Sequence, residues 1–307
     1  MGRIYALGET LYEKIYREGT FLKSIAGGSA VNTAISLGRM KLPVYLISEF
    51  GNDEEGNKLF DFFLENKVNT RYVYRHNDGK TSVSNALLDA NNEAQYQFFK
   101  DLPKKRFEIE MPNFKDDDIL LLGSWFAINP ELKNKVLRIL KHAHNAHSLI
   151  IYDPNFRVAH INELKQIKPT ILRNMKYADI VRGSNDDFLN IFGAKSAKET
   201  FSYMPDESTC LIYTTSNRGE FLHCKIFQNN YPIPEINPVS TIGAGDNFNA
   251  GLIYGLSHKG ISKKDLPYMD KKDWKDLINY GILFASEVCM LEDNYISPDF
   301  AREIKLK

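Results

Sequence analysis

The sequence predicts an α/β domain: a mostly parallel central sheet with helical crossovers, carrying a second, smaller β-sheet. Three observations predict it. Short apolar runs at Ile4 to Leu7, Val44 to Ser48, Ile119 to Leu122 and Leu149 to Tyr152 have the length of buried strands. Helix-like stretches separate them, which is the rhythm of βαβ units. Between Arg71 and Lys100 that rhythm gives way to alternating runs, Tyr72 to Tyr74, Ser82 to Leu88 and Gln95 to Phe99. Asn77-Asp78-Gly79 and Asn91-Asn92 divide them as hairpin turn signals.

Bulk properties narrow the function classes. A chain of 307 residues can bury a large core. Lys+Arg and Asp+Glu both number 39, so no overall basic field points to nucleic acid or to a membrane surface. No apolar run is long enough for a bilayer, and Met1-Gly2-Arg3 runs straight into a strand rather than a signal peptide. Cys210, Cys224 and Cys289 are scattered, which fits a reducing compartment, and a cytoplasmic location is expected. His142, His144 and His147 cluster without a second ligand set and read as a solvated helix end.

In chain order, the run Ile4 to Leu7 is the first buried strand, and Tyr12 to Tyr16 alternates like a strand exposed on one face. Gly27-Gly28 then opens a helix of small residues to Met40, with Asn32 in its first turns offering a donor and an acceptor. Gly51-Asn52-Asp53-Glu54-Glu55-Gly56 turns from strand into a helix through Leu64. After Gly123-Ser124 a helix is expected to reach His147. The strand Leu149 to Tyr152 ends in Asp153-Pro154-Asn155-Phe156-Arg157, the carboxyl-end position where α/β proteins place ligand contacts. Asp179 to Val181 and Cys210 to Thr214 are further strands, and Leu277 to Met290 is a final long helix.

The densest signal is Thr241-Ile242-Gly243-Ala244-Gly245-Asp246. Phe248, Leu252, Ile253 and Leu256 recur at helical spacing behind it, so the glycines sit where a helix begins. A helix start offers unpaired N–H groups and the positive end of the dipole, which suit a phosphate. A carboxylate there repels an anion, unless its task is to take a proton from an attacking hydroxyl. Taken alone, the stretch reads sooner as a glycine turn with an acidic first-turn residue.

The order of these parts resembles the PfkB-type, ribokinase-like carbohydrate kinases, fructokinase-like members in particular. Gly27-Gly28 with Asn32 matches one family signature, and Gly51, Asp53 and Gly56 match the next. Asp153 to Arg157 resembles the fructokinase form, Val181 to Asp187 aligns with an acidic segment linked to metal, and Thr241 to Asp246 matches the C-terminal signature. The resemblance implies a single three-layer α/β/α ribokinase-like domain over 1–307, with a β-sheet lid formed from about 11–25 and 70–101. It implies ATP with Mg²⁺ as cofactors and phosphorylation of a hydroxymethyl group on a small sugar. Asp246 would be the general base, with Gly243, Ala244 and Gly245 as an anion hole. Glu13, Gly27, Gly28, Asn32 and Arg157 would meet the sugar. Ser184, Thr214, Ser216, Gly219 and Gly245 would meet the nucleotide, and Asp187 would reach the metal through water. Pairing of lid edges implies a homodimer.

Two positions depart from the family pattern. Glu13 stands where an aspartate usually binds two sugar hydroxyls, which suggests a shifted acceptor. Ser240 replaces an aspartate of the monovalent-cation site, which makes potassium activation doubtful. Other readings are a non-catalytic binder, a nucleoside kinase with Tyr96, Phe98 and Phe99 clamping the base, or a keto-deoxy sugar acid kinase using Arg157 or Lys100.

Overall fold

The computed structural model describes residues 2–88, 94–215, 219–225 and 227–305. Its strands in chain order are β1 (Ile4–Leu7), β2 (Leu11–Arg17), β3 (Thr20–Gly27), β4 (Val44–Gly51), β5 (Asn69–His76), β6 (Val83–Leu88) and β7 (Ala94–Phe99). They continue with β8 (Ile119–Gly123), β9 (Leu149–Asp153), β10 (Ile180–Ser184), β11 (Cys210–Thr214), β12 (Glu220–Cys224) and β13 (Phe227–Tyr231). The helices are α1 (Ser29–Arg39), α2 (Glu54–Glu65), α3 (Ser124–Ile128), α4 (Lys133–Asn145) and α5 (Leu164–Tyr177). After them come α6 (Asn185–Phe192), α7 (Ala197–Phe201), α8 (Ala244–Lys259), α9 (Lys271–Cys289) and α10 (Pro298–Lys305).

Among the described residues the larger sheet has the order β13-β12-β11-β10-β9-β8-β1-β4-β5. Neighbours from β11 to β5 run parallel, and only β12 and β13 turn antiparallel. Side chains of β1 show how the layers form. Ile4 and Ala6 enter one apolar core with Ile35 of α1, Phe63 of α2, Phe248 of α8 and Phe284 of α9. Tyr5 and Leu7 enter the opposite core with Phe126 of α3, Ile139 of α4, Ile171 of α5 and Phe188 of α6. A strand buried on both faces reads as a continuous apolar run, which is why these strands are visible in the sequence.

The smaller sheet has the order β3-β2-β6-β7. Its central pair, β2 and β6, is parallel, with Glu13 opposite Ser84. The lid boundary expected at residue 70 is corrected here: β5 pairs in parallel with β4 in the large sheet, and the described strands of the small sheet are Leu11–Arg17, Thr20–Gly27, Val83–Leu88 and Ala94–Phe99. Alternation identifies β5 as a strand but carries no information on which sheet it joins. The expected Asn91-Asn92 turn lies outside the described residues.

Two helices also differ from expectation. The stretch from Ser124 breaks into α3 and α4, because Asn129 closes α3 as its C-cap and Leu132 starts α4. The last long helix begins at Lys271, where Asp270 forms a capping box with Asp273. The hairpin β12–β13 was not expected. Its Gln228-Asn229-Asn230 has little strand propensity, and Asn229 pairs with Leu222 across the hairpin.

Candidate active site

Gly28 and Gly243 set up the site. Gly28 is the N-cap of α1 with φ 118°, and a Cβ there would lie 2.2 Å from the Glu9 carbonyl oxygen. Gly243 is the N-cap of α8 with φ 79°, and its Cβ would lie 2.7 Å from the Asn294 carbonyl oxygen. No other residue meets both demands without strain. The two helix starts face each other through Asp246.

Asp246 stands in the first turn of α8 and is 7% exposed. Its Oδ1 accepts from Ser29 Oγ at 2.6 Å and from Asn155 Nδ2 at 3.4 Å. Its Oδ2 accepts from Asn32 Nδ2 at 2.8 Å, and its carbonyl accepts from Thr33 Oγ1 at 2.8 Å. A carboxylate has about four lone-pair sites, so roughly one remains on Oδ2. Asn32 is buried, and its Oδ1 has no hydrogen-bond partner. An open acceptor on Asp246 therefore lies next to an open acceptor on Asn32.

Two other residues expected to meet the acceptor lie against each other. Gly27 closes β3, and a Cβ on it would lie 3.2 Å from Glu13 Oε2. Burial pushes the Glu13 carboxyl above its usual range, with Ser84 Oγ, 3.4 Å away, opposing the shift. A cavity beside the Glu9–Gly28 contact is lined by Glu9, Thr10, His76, Lys100, Trp125 and Asn129 among others. Trp125 is stacked on His160 at 3.9 Å. Arg157 is not among the side chains bonded to Asp246. It is exposed and precedes the 3₁₀ turn Val158–Glu163.

At the expected anion hole, Ala244 N–H returns to the Thr241 carbonyl at 3.3 Å, while Gly245 follows in the first turn. Ser240 Oγ accepts from Ile242 N–H at 3.1 Å, so a neutral turn occupies that position. Thr214 ends β11 and its Oγ1 accepts from Arg182 at 2.9 Å. Gly219 accepts from Thr215 Oγ1 at 2.9 Å. Ser216 lies outside the described residues.

Ser184 and Asp187 form the capping box of α6. Both Asp187 oxygens are engaged, by Phe156 N–H at 2.5 Å, Ser184 N–H at 2.7 Å and Ser184 Oγ at 2.6 Å. Burial and the nearby Asp153 raise its proton affinity. Among the described residues no three His, Cys, Asp or Glu side chains converge as a metal cage. Direct ligation by Asp187 therefore does not fit the residues present, and no step below runs through a metal.

Several contributors had gone unassigned. Ser29 was within reach of sequence reasoning, since it lies three residues before Asn32 on the same helix face. Arg182 was too, as a charge inside the apolar strand Ile180–Ser184. Asn155 lies in the singled-out segment Asp153 to Arg157, while Asn249, whose Nδ2 donates to Asp153 Oδ2 at 2.7 Å, carries no local signal.

A glycine-turn helix start holding a buried carboxylate against a second helix start, on an α/β scaffold, is an arrangement that can serve phosphoryl transfer. Residues 4–296 match the model of the pfkB family carbohydrate kinases, and the chain belongs to that family. It is 27% identical to "Probable fructokinase-5" of Arabidopsis thaliana over 78% of this chain and 76% of the relative. With the fructokinase of Vibrio alginolyticus it shares 23% identity over 84% and 85%. Among solved structures, a double mutant of the Vibrio cholerae O395 fructokinase, bound to fructose, ADP and potassium ion, superposes with a TM-score of 0.85. That match is 19% identical and covers 97% of this chain and 95% of the other. Aminoimidazole riboside kinase of Salmonella enterica, complexed with aminoimidazole riboside and an ATP analogue, gives 0.83 at 18% identity, covering 98% and 99%. The resemblance to the fructokinase-like branch and the ribokinase-like fold are thus both met. No helix among the described residues is long and apolar enough to cross a membrane.

Proposed function

We propose that this carbohydrate kinase transfers the γ-phosphoryl group of ATP to a hydroxymethyl group of a small, fructose-like sugar, with Asp246 as general base. The observation that carries the reading is the Asp246–Asn32 pair, in which each side chain keeps an acceptor position unfilled. A sugar hydroxyl in that gap donates its proton to Asp246 Oδ2. The C–O oxygen, now more nucleophilic, forms a bond to the γ-phosphorus as the bond to the ADP oxygen breaks. Ser29, Asn32 and Asn155 hold the carboxylate in place, so no reorganisation accompanies proton transfer.

Charge that builds on the transferring phosphoryl group meets the positive end of α8 at Gly243 to Gly245. Gly27, Gly28 and Glu13 bound the acceptor, and the small sheet covers it from water. Thr214 and Gly219 border the nucleotide, and Ser184 supports this side by capping α6. Magnesium enters only as the counter-ion of ATP, with Asp187 reached through water. The neutral Ser240 turn leaves no charge to hold potassium, so activation by it is not expected.

Lys100 lines the cavity 4.0 Å from Glu9, which favours a sugar acid as the second acceptor class. ADP release measured over a panel of ketohexoses, aldoses, sugar acids and nucleosides separates these readings. Turnover with none of them sinks the kinase reading in favour of a non-catalytic binder.

A further inference from the structure

Beneath the start of α8 lies a buried charge cluster with no part in the reaction described so far. Arg182 of β10 is its one cation and is 8% exposed. Its Nη1 meets Asp153 Oδ2 at 3.0 Å and its Nη2 meets Thr214 Oγ1 at 2.9 Å. The guanidinium lies 5.4 Å from the centre of the Phe248 ring. A Cβ built on Gly245 would lie 2.6 Å from Nη1, so the guanidinium packs directly against the helix start. Asp187 and Glu220 also lie within electrostatic range, and Nε has no hydrogen-bond partner.

The charges pose a problem for any polyphosphate ligand. Asp153 and Asp187 put carboxyl groups under the surface that must accept an anion, with Asp246 at its edge, while burial keeps the Glu220 carboxyl there protonated. Carboxylates at such a place repel phosphate, and only a nearby cation offsets them. Arg182 also bridges two expected nucleotide contacts, because it touches Gly245 and bonds Thr214. A planar, permanently charged fork suits both tasks.

We propose that Arg182 is a positioning residue for the nucleotide phosphates: it cancels the carboxylate charge under α8 and holds Gly245 and Thr214 in fixed relation. The proposal rests on the ATP-dependent reading above. It concerns ATP and not the sugar, so the two ligands should respond differently to changes at this residue.

The test is calorimetric binding of ATP and of the accepted sugar to the full chain and to three variants. Arg182→Met should weaken ATP binding by ~10–100-fold, the size expected for one charge acting across several ångströms of partly screened interior. Sugar affinity should stay within about threefold, below half a decade of binding energy. Arg182→Lys keeps the charge and should hold ATP affinity within about threefold of wild type. The double change Arg182→Met with Asp153→Asn removes the cation together with the carboxylate it pairs with, and should recover most of the lost ATP affinity. If Arg182→Met alone does not fold, the double variant carries the test by binding ATP nearly as wild type does. Wild-type ATP affinity in folded Arg182→Met overturns the proposal. So does equal loss in the Lys and Met variants, parallel loss for sugar, or a double variant that binds ATP no better than the Met variant. A wild-type chain that binds no ATP overturns the underlying reading as well, which separates the two failures.

Discussion

At the scale of single residues, the site is a set of partly satisfied polar groups. Asp246 has three side-chain donors and one acceptor position open, while Asn32 has its donor used and its acceptor open. Buried polar groups normally find partners, and the proposed sugar hydroxyl would fill the open positions. Glu220 is the opposite case. Burial raises its carboxyl from 4.5 to about 8, with Arg182 opposing, and Oε2 has no hydrogen-bond partner. The folded state therefore holds a proton that the unfolded chain has released above pH 4.5. Stability should fall as pH rises from 4.5 towards 8, by on the order of 3 kcal/mol. Glu220→Gln should flatten that slope in denaturant unfolding measured at pH 5 and pH 8. A wild-type slope in the variant would show that Glu220 is not the proton's site.

Sequence alone singled out Asp246, Asn32 and Gly28, which the fold brings together, because each sits in a short motif whose chemistry is local. It assigned no partner to Asp246. Ser29 and Asn155 lie 217 and 91 positions away from it. Side-chain pairing over such separations leaves no trace in a single chain. Arg157 was singled out over Asn155 in the same segment, yet it is Asn155 that turns inward, with φ 40°.

At the scale of elements, the start of α8 is fixed by backbone shape more than by side chains. Gly243 adopts a left-handed conformation and has the Asn294 carbonyl where a Cβ would go. Gly243→Ala should cost roughly 1–3 kcal/mol of stability, and should lower kcat more than the sugar KM because it displaces the phosphate-facing turn. Denaturant unfolding with steady-state kinetics checks both; an unchanged midpoint would refute the strain assigned to Gly243. The position of this helix start was legible, since two glycines preceded a helical period. The division of residues 124–145 into α3 and α4 was legible as well and went unread: Asn129-Pro130 is a turn signal, and a residue before proline is pushed out of the helical region.

At the scale of the whole molecule, two sheets cooperate. The small sheet leads through β3 into the start of α1, and the segment after β9 of the large sheet supplies Asn155 to Asp246 at the start of α8. The large sheet was legible from its apolar runs. Membership of β5 was not, because pairing partners are set by tertiary packing. The edge strands of the small sheet expose Phe21 and Leu22 on β3 and Phe98 and Phe99 on β7. Edge strands with exposed apolar residues favour pairing with a second chain. Sizing by light scattering should therefore give twice the chain mass, and Phe21→Asp with Phe99→Asp should shift it to the monomer. A wild-type monomer at all concentrations would remove the dimer.

The claim on which the rest depends is that Asp246 takes the proton from the sugar. The most direct measurement compares sugar-dependent ADP release by the wild type and by Asp246→Asn, with sugar binding followed in parallel. Turnover should fall about 10²–10⁴-fold while the sugar still binds. An Asp246→Asn chain that phosphorylates its sugar at the wild-type rate would contradict the account.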